Sequence, residues 1–250
     1  MTVTSPKPLH FDDPPLVEAV FDLFAERGNP PADLDRVFFA DLPEYESRPQ
    51  QWKQFTLAMH IERGGPASHA VNASRTGVRR WNADKTRGVL VGDSVLAYNV
   101  LRPYGHFVQY LPQIDRLVAK FREVAKPARI AVVGQRYINQ VAIGLEENPG
   151  DTFVLYPRLS QPFARRHPPV QVVVEMSRFE GGVVIATLAQ RKSSASESIY
   201  VLDLHARTTA DVVAAINDVV AWHEQAHEAI VEAFLASITP EARRRFKERA

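Results

Sequence analysis

The sequence predicts an α+β protein in which an antiparallel sheet packs against two long helices. Two observations lead to this prediction: several segments alternate apolar and polar residues as strands do, and segments 104–126 and 209–238 each carry apolar residues at helical spacing. The chain has 250 residues, of which 45% are hydrophobic, so it can bury a substantial core. The linker-like segment 124–129 is short, and we therefore expect one continuous body, residues 1–250.

The two halves of the chain, residues 10–127 and 128–250, have the same predicted order: strand, short helix, three strands, long helix. In the first half these elements are expected at 15–27, 34–42, 54–65, 69–85, 87–101 and 104–126. In the second half they are expected at 128–145, 151–159, 170–182, 182–192, 198–207 and 209–238, with Thr208 or Thr209 as the last helix's cap. The common order suggests an internal duplication. Unrelated α+β elements can pack in the same order, and few residues are identical between the halves.

Composition excludes several classes of function. Lys and Arg number 30 against 29 Asp and Glu, so no global field draws the protein to nucleic acid or an anionic membrane. The absence of cysteine excludes thiol catalysis and thiolate metal ligands. A proline-rich, acidic N-terminus and the lack of a run of about 18 apolar residues predict a cytoplasmic protein that is not in a membrane. Dinucleotide-binding, Walker A and G-x-S-x-G motifs are absent.

The segment "HEQAH", residues 223–227, has the H-E-x-x-H pattern of zinc-dependent hydrolases. On a helix, His223 and His227 point the same way as zinc ligands would, and Glu224 is placed to act as the general base. A third ligand is needed, but Ala233 stands where the extended motif has histidine. The remaining candidates are His60, Glu175, His205, Glu232, Glu241 and Glu248, of which the last two lie in a charged tail expected to fray. In the structural alternative, both imidazoles belong to the apolar stripe of the helix and pack inward.

The strand segment "GQRYINQ", residues 134–140, carries polar residues on both of its faces. A buried Arg136 requires a carboxylate, and Glu18 and Glu175 are candidate partners for an internal ion pair. If its partner is instead a bound anion, then Arg136, Tyr137 and Arg102 are the residues expected to line a ligand-binding crevice.

A basic segment, residues 78–88, supplies the third candidate site. It combines cationic residues with one tryptophan, a composition suited to holding phosphates and stacking a base. The residues are Arg79, Arg80, Trp81, Lys85 and Arg87. The structural alternative, which such residues more commonly represent, is the solvated face of a hairpin with one packing tryptophan. The same applies to the basic loop at 163–169.

Four segments occur in a specific order over nearly the whole chain: "PPLVEAVFDL" (14–23), "YNVLRPYGHF" (98–107), "GQRYINQVAI" (134–143) and "HEQAHEAIVEAFLASIT" (223–239). Together they resemble an uncharacterised, sporadically distributed family of bacterial proteins. The resemblance implies that the histidines serve packing, and it transfers no catalytic residue. Sporadic distribution suggests an accessory gene, such as those of defence or toxin–antitoxin loci.

The leading hypothesis is therefore a non-enzymatic binding or regulatory protein without a cofactor, which recognises a protein partner or a small anionic ligand. Its amphipathic helices can also be covered by a second copy of the chain, so a homo-oligomer is compatible with the sequence. The alternatives are a zinc-dependent hydrolase at 223–227 and a nucleic-acid-binding protein at 78–88.

Overall fold

A computed structural model describes residues 10–60, 68–157, 169–209 and 218–249. The strands within these ranges are β1 (His10–Phe11), β2 (Leu16–Glu26), β3 (Gln50–His60), β4 (Ser68–Trp81), β5 (Arg87–Val91), β6 (Val95–Leu101), β7 (Arg129–Gly144), β8 (Gln171–Phe179), β9 (Gly182–Ser193), β10 (Glu197–Arg207) and β11 (Glu248–Arg249). The helices are α1 (Leu34–Phe39), α2 (Leu111–Ala125), α3 (Val219–Ser237) and α4 (Pro240–Arg245). Parts of the predictions at 54–65, 151–159 and 209–238, and nearly all of the basic loop at 163–169, lie outside the described residues.

Nine strands form one antiparallel sheet in the order β3-β4-β5-β6-β2-β7-β10-β9-β8. The α+β fold class with two long helices is thus confirmed. The first strand of each predicted half, β2 and β7, lies at the centre, and the two strands pair with each other. An internal duplication stays a prediction.

The segment predicted as one strand at 87–101 forms a hairpin of two strands, β5 and β6. The turn lies at Gly92, whose N–H donates to Val95 O at 2.8 Å. A Cβ at this position would overlap the carbonyl oxygen of Thr76, so the tight turn depends on glycine. Among the described residues, the first half therefore contributes one strand more to the sheet than the second half, contrary to the predicted common order.

The long helices cover one face of the sheet. The alternation in β2 directs Ala19, Phe21, Leu23 and Ala25 to this face, where all four are buried. The predicted apolar stripe of the first long helix packs on them, although its first members lie in a 3₁₀ turn, Phe107–Gln109, ahead of α2. The residues of α2 that are buried are Ile114, Leu117, Val118, Phe121, Val124 and Ala125.

The opposite side of the sheet, called the open face below, carries a second, smaller apolar cluster. Its buried members are Leu90, Val95 and Ala97. Val20, Phe24 and Trp52 pack against them and stay partly exposed. Residues of β2 therefore contribute apolar side chains to both faces of the sheet.

Two predictions about the C-terminal region, the start of the last long helix and the fraying of the tail, are corrected. The described helix α3 is capped by Asp218, whose Oδ1 accepts hydrogen bonds from the N–H groups of Val220 and Ala221. Asp218 itself is extended, so this helix begins at Val219 rather than at 209. The predicted cap at Thr208 or Thr209 adjoins residues 210–217, which lie outside the described residues, and it stays a prediction. The charged tail does not fray: it forms α4, buries Phe246 and pairs β11 with β1.

Within the described residues, no helix combines the length and the apolar character that are needed to cross a membrane.

Candidate functional site

Both histidines of the H-E-x-x-H segment point from α3 toward the sheet and are hydrogen bonded to side chains of β7. His223, which is 1% exposed, has its Nδ1 3.0 Å from Gln135 Oε1. His227 has its Nδ1 2.7 Å from the Tyr137 hydroxyl, which also accepts a hydrogen bond from Gln135 Nε2 at 3.0 Å. One chain of hydrogen bonds, His223–Gln135–Tyr137–His227, therefore joins helix and sheet.

Aromatic rings enclose the two imidazoles. His227 stacks on Phe107 with a centroid distance of 4.2 Å and an interplanar angle of 8°, and the edge of His223 meets Phe21 at 5.5 Å. Burial lowers the pKa of His223 to about 3 and that of His227 to about 4. Both imidazoles are therefore neutral near pH 7, and each forms a hydrogen bond with a polar side chain of the core.

The donor set around His223 and His227 does not fit zinc. Among the described residues, no three His, Cys, Asp or Glu side chains come together as metal ligands. His205 and Glu175, two of the predicted third ligands, lie on the open face, with the sheet between them and the imidazoles. Glu224, the predicted base, is exposed on α3. The structural alternative accounts for both histidines.

Two of the other predicted third ligands have described side chains. Glu232 is exposed, and Glu241 pairs with Arg244. The side chains of His60 and Glu248 lie outside the described part of the structure.

Arg136 forms an internal ion pair, as one of the two sequence interpretations expected, but with a different partner. Its Nε donates to Asp203 Oδ1 at 2.7 Å, and its Nη2 contacts Asp203 Oδ2. Asp203 lies on β10, next to β7 in the sheet. The two expected partners are engaged elsewhere: Glu18 accepts a hydrogen bond from Asn99 and Glu175 pairs with Arg178.

The structure does not bring Arg136, Tyr137 and Arg102 into one crevice. Neighbouring residues of a strand point to opposite faces, so Arg136 lies on the open face while Tyr137 is buried beneath the helices. Arg102 is exposed and donates from Nε to the carbonyl oxygen of Leu16 at 3.3 Å. Tyr104 instead reaches Tyr137, with 3.2 Å between the hydroxyl oxygens.

A cluster at the centre of the open face was not singled out from the sequence. Asp22 pairs across β2 and β7 with Gly134, and a Cβ at Gly134 would overlap Asp22 Oδ1 and lie 3.1 Å from His205 Nε2. Asp22 Oδ1 is buried and has no hydrogen-bond partner among the described residues. Gly134 thus provides a notch for a buried carboxylate beside Arg136. The sequence feature that could have indicated this cluster is a glycine within a strand rich in β-branched residues, because such a glycine often marks a close approach of another group.

Burial controls the protonation of this central cluster. It raises the pKa of Asp22 to about 6, against the opposing effect of Arg136 and Arg75. It lowers the pKa of His205 to about 4, and the nearby Arg136 adds to this effect. The cluster therefore holds one carboxyl group that titrates close to neutrality.

The predicted basic site at 78–88 is divided between the two faces. Arg79 and Trp81 lie on the open face, where the Trp81 ring crosses Gly88. Arg80 lies on the helix side, 4.8 Å above the Phe39 ring and 3.8 Å from Asp35. Arg87 also turns to the helix side, toward Tyr110. Lys85 is exposed in the hairpin turn with φ 59°.

In comparisons with known proteins, no family model and no curated protein matches this chain. The resemblance to a sporadically distributed bacterial family stays a prediction from the four segments.

Proposed function

We propose that the protein is a non-enzymatic binding protein whose partner covers the open face of the nine-stranded sheet. The apolar content of this face carries the proposal. An antiparallel sheet with one solvated face normally alternates apolar and polar residues along each strand. Strands β2, β7 and β10 place Val20, Ile138 and Val201 on the open face as well as apolar residues on the helix face.

Exposure on the edge strand supports the same conclusion. Val173 of β8 is 60% exposed, and it pairs with Thr187 on the adjacent strand β9. Ile185, the next open-face residue of β9, is also partly exposed. Val173 and Ile185 are diagonal neighbours on the open face, and exposed apolar residues grouped in this way are typical of an interaction site.

The central charged cluster gives this apolar surface specificity. Asp203 holds the Arg136 guanidinium in a fixed orientation, and the side chain of Arg136 is 42% exposed. A small anion at Arg136 has to compete with Asp203 and approach Asp22, whereas a partner that covers the face leaves the ion pair intact. The arrangement therefore favours a macromolecular partner over a small anionic ligand.

The resemblance to a sporadically distributed bacterial family supports an accessory role in the cytoplasm, for example at a defence or toxin–antitoxin locus. The hydrolase alternative has less support, because the imidazoles of His223 and His227 already bind Gln135 and Tyr137.

Selection of ligands with matched variants tests the proposal. The wild-type protein is the bait for a displayed random-peptide library and for a random pool of single-stranded oligonucleotides. Ligands from at least one library are expected to lose binding to Val173→Asp and to keep binding to Val108→Asp. Val108 is the matched control because it is 64% exposed but lies beside α2. Failure to select a ligand, or ligands that bind both variants equally, contradicts the proposal.

A further inference from the structure

The open face of the N-terminal half has a composition of its own. It carries three aromatic side chains, Phe24, Trp52 and Trp81, and two arginines that lie against them. The guanidinium carbon of Arg75 is 4.4 Å from the ring centroid of Phe24, and that of Arg79 is 5.8 Å from the ring centroid of Trp81. These five residues form the aromatic surface.

The alternation of β4 aligns this surface. Arg75, Arg79 and Trp81 are separated by even numbers of residues, and no register shift interrupts the pairing of this part of β4 with its neighbours. At about 3.3 Å per residue, Arg75 and Arg79 are about 13 Å apart along the strand. Trp81 lies flat because Gly88 has no Cβ, which would come within 2.7 to 3.0 Å of the Trp81 ring atoms.

We propose that the aromatic surface binds single-stranded nucleic acid, an inference that rests on the open face being the binding surface. Unpaired bases stack on aromatic rings and on guanidinium planes, and arginine also neutralises phosphate. Both features are present side by side in two copies, Arg75 with Phe24 and Arg79 with Trp81. In a duplex the base faces are stacked on one another, so the surface selects single strands.

Charge favours an anionic partner over a basic or neutral one, and the aromatic rings then favour a nucleic acid over an acidic protein. Among the described residues, no carboxylate forms an ion pair with Arg79, and Arg79 Nε is buried without a hydrogen-bond acceptor. Three carboxylates of β2 alternate with its open-face apolar residues. Glu26 pairs with Arg129, Glu18 accepts a hydrogen bond from Asn99, and the buried Asp22 interacts with Arg75 and Arg136. The exposed Lys85 extends the positive charge beyond the end of β4. The surface is thus complementary to a polyanion although the formal net charge of the chain is only +1.

Fluorescence anisotropy with labelled oligothymidylate and oligouridylate of about 20 nucleotides tests the inference, since this length exceeds the usual site sizes of about 4 to 16 nucleotides. Trp81→Ala and Arg79→Ala are each expected to weaken binding by at least about fivefold, as loss of one stacked base does. Trp81→Phe keeps an aromatic face and retains most of the affinity. The affinity is expected to fall as salt is added: the logarithm of the association constant decreases with the logarithm of the salt concentration, with a slope of about −0.7 for each phosphate contacted.

Arg80→Ala is the matched control, because Arg80 adjoins Arg79 in sequence and lies on the opposite face. It is expected to change the dissociation constant by less than about twofold, and thermal melting establishes that each variant is folded. Equal losses for Arg79→Ala and Arg80→Ala overturn the inference in favour of the charge of the hairpin alone. Absence of oligonucleotide binding at low salt also overturns it, but leaves the proposed function standing if peptide ligands depend on Val173. Oligonucleotide binding that no open-face substitution changes overturns both.

Discussion

His227 Nδ1 lies 2.7 Å from the hydroxyl of Tyr137, and this contact ties the middle of α3 to the central strand β7. The same hydroxyl accepts a hydrogen bond from Gln135, which in turn binds His223. A segment that has the sequence of a zinc motif is therefore the helix side of a buried polar network. Such networks stabilise a unique packing only when every member has its partner.

Tyr137→Phe is expected to lower the free energy of unfolding by about 2 to 3 kcal/mol, because it leaves Gln135 Nε2 and His227 Nδ1 without their buried partner. Tyr104→Phe is the control. It removes only the 3.2 Å contact between the two tyrosine hydroxyls, and a loss of about 1 kcal/mol or less is expected. Urea denaturation measures both variants, and equal losses would show that the network does not depend on Tyr137.

Stability is expected to fall as the pH is lowered from about 6.5 toward 4. The pKa of His223 is lowered from 6.5 to about 3 and that of His227 to about 4, so in this range the unfolded chain binds protons that the folded chain does not. Each histidine contributes a slope of up to about 1.4 kcal/mol per pH unit. Asp22 has the opposite effect. Its pKa is raised from 3.8 to about 6, so between these pH values the folded chain binds a proton at Asp22 that the unfolded chain does not, and this stabilises the fold as the pH falls.

Urea denaturation at a series of pH values measures this slope. His223→Gln removes one of the titrating groups and should give a flatter dependence below pH 6.5 than the wild type. An identical dependence would show that His223 is not held neutral in the folded protein.

The purified, untagged protein is expected to contain no stoichiometric zinc by elemental analysis, because both imidazoles already have side-chain partners. The double variant His223→Ala/His227→Ala should lose stability and leave the metal content unchanged. Glu224→Gln should be neutral for stability, since Glu224 is exposed. Stoichiometric zinc that disappears in the double variant would instead restore the hydrolase hypothesis.

Gly134→Ala is expected to destabilise the fold, because the new methyl group would overlap the Asp22 carboxylate and crowd His205. In an Asp22→Ala background the same substitution should cost much less, since the carboxylate is gone and alanine suits a strand better than glycine by about 0.5 to 1 kcal/mol. A double-mutant cycle should therefore give a coupling energy of about 1 kcal/mol or more. If the effects of the two substitutions on stability were additive, the strain caused by Gly134→Ala would not arise from its contact with Asp22.

The positions of most strands and of the first long helix were predictable because they depend on residues close together in the sequence. The alternation in β2 and the apolar stripe of α2 are local patterns, and the structure contains both. The hairpin at Gly92 was missed because a short apolar run on each side of a turn resembles one long strand. The interruption at Asp218 was not predicted because apolar residues at helical spacing lie on both sides of it in the sequence.

Local sequence patterns are sufficient to predict an amphipathic sheet and two long helices, and the burial expected for Arg136 and the two histidines shows that they need partners. The identity of those partners depends on the tertiary structure. Arg136 pairs with Asp203, 67 positions away, because β10 pairs with β7, whereas Glu18 and Glu175 are bound to other residues. The face to which each residue of 78–88 points was likewise set by strand pairing and by the side of the sheet that the helices cover. These are non-local choices, since pairing brings together distant segments whose register no short motif encodes.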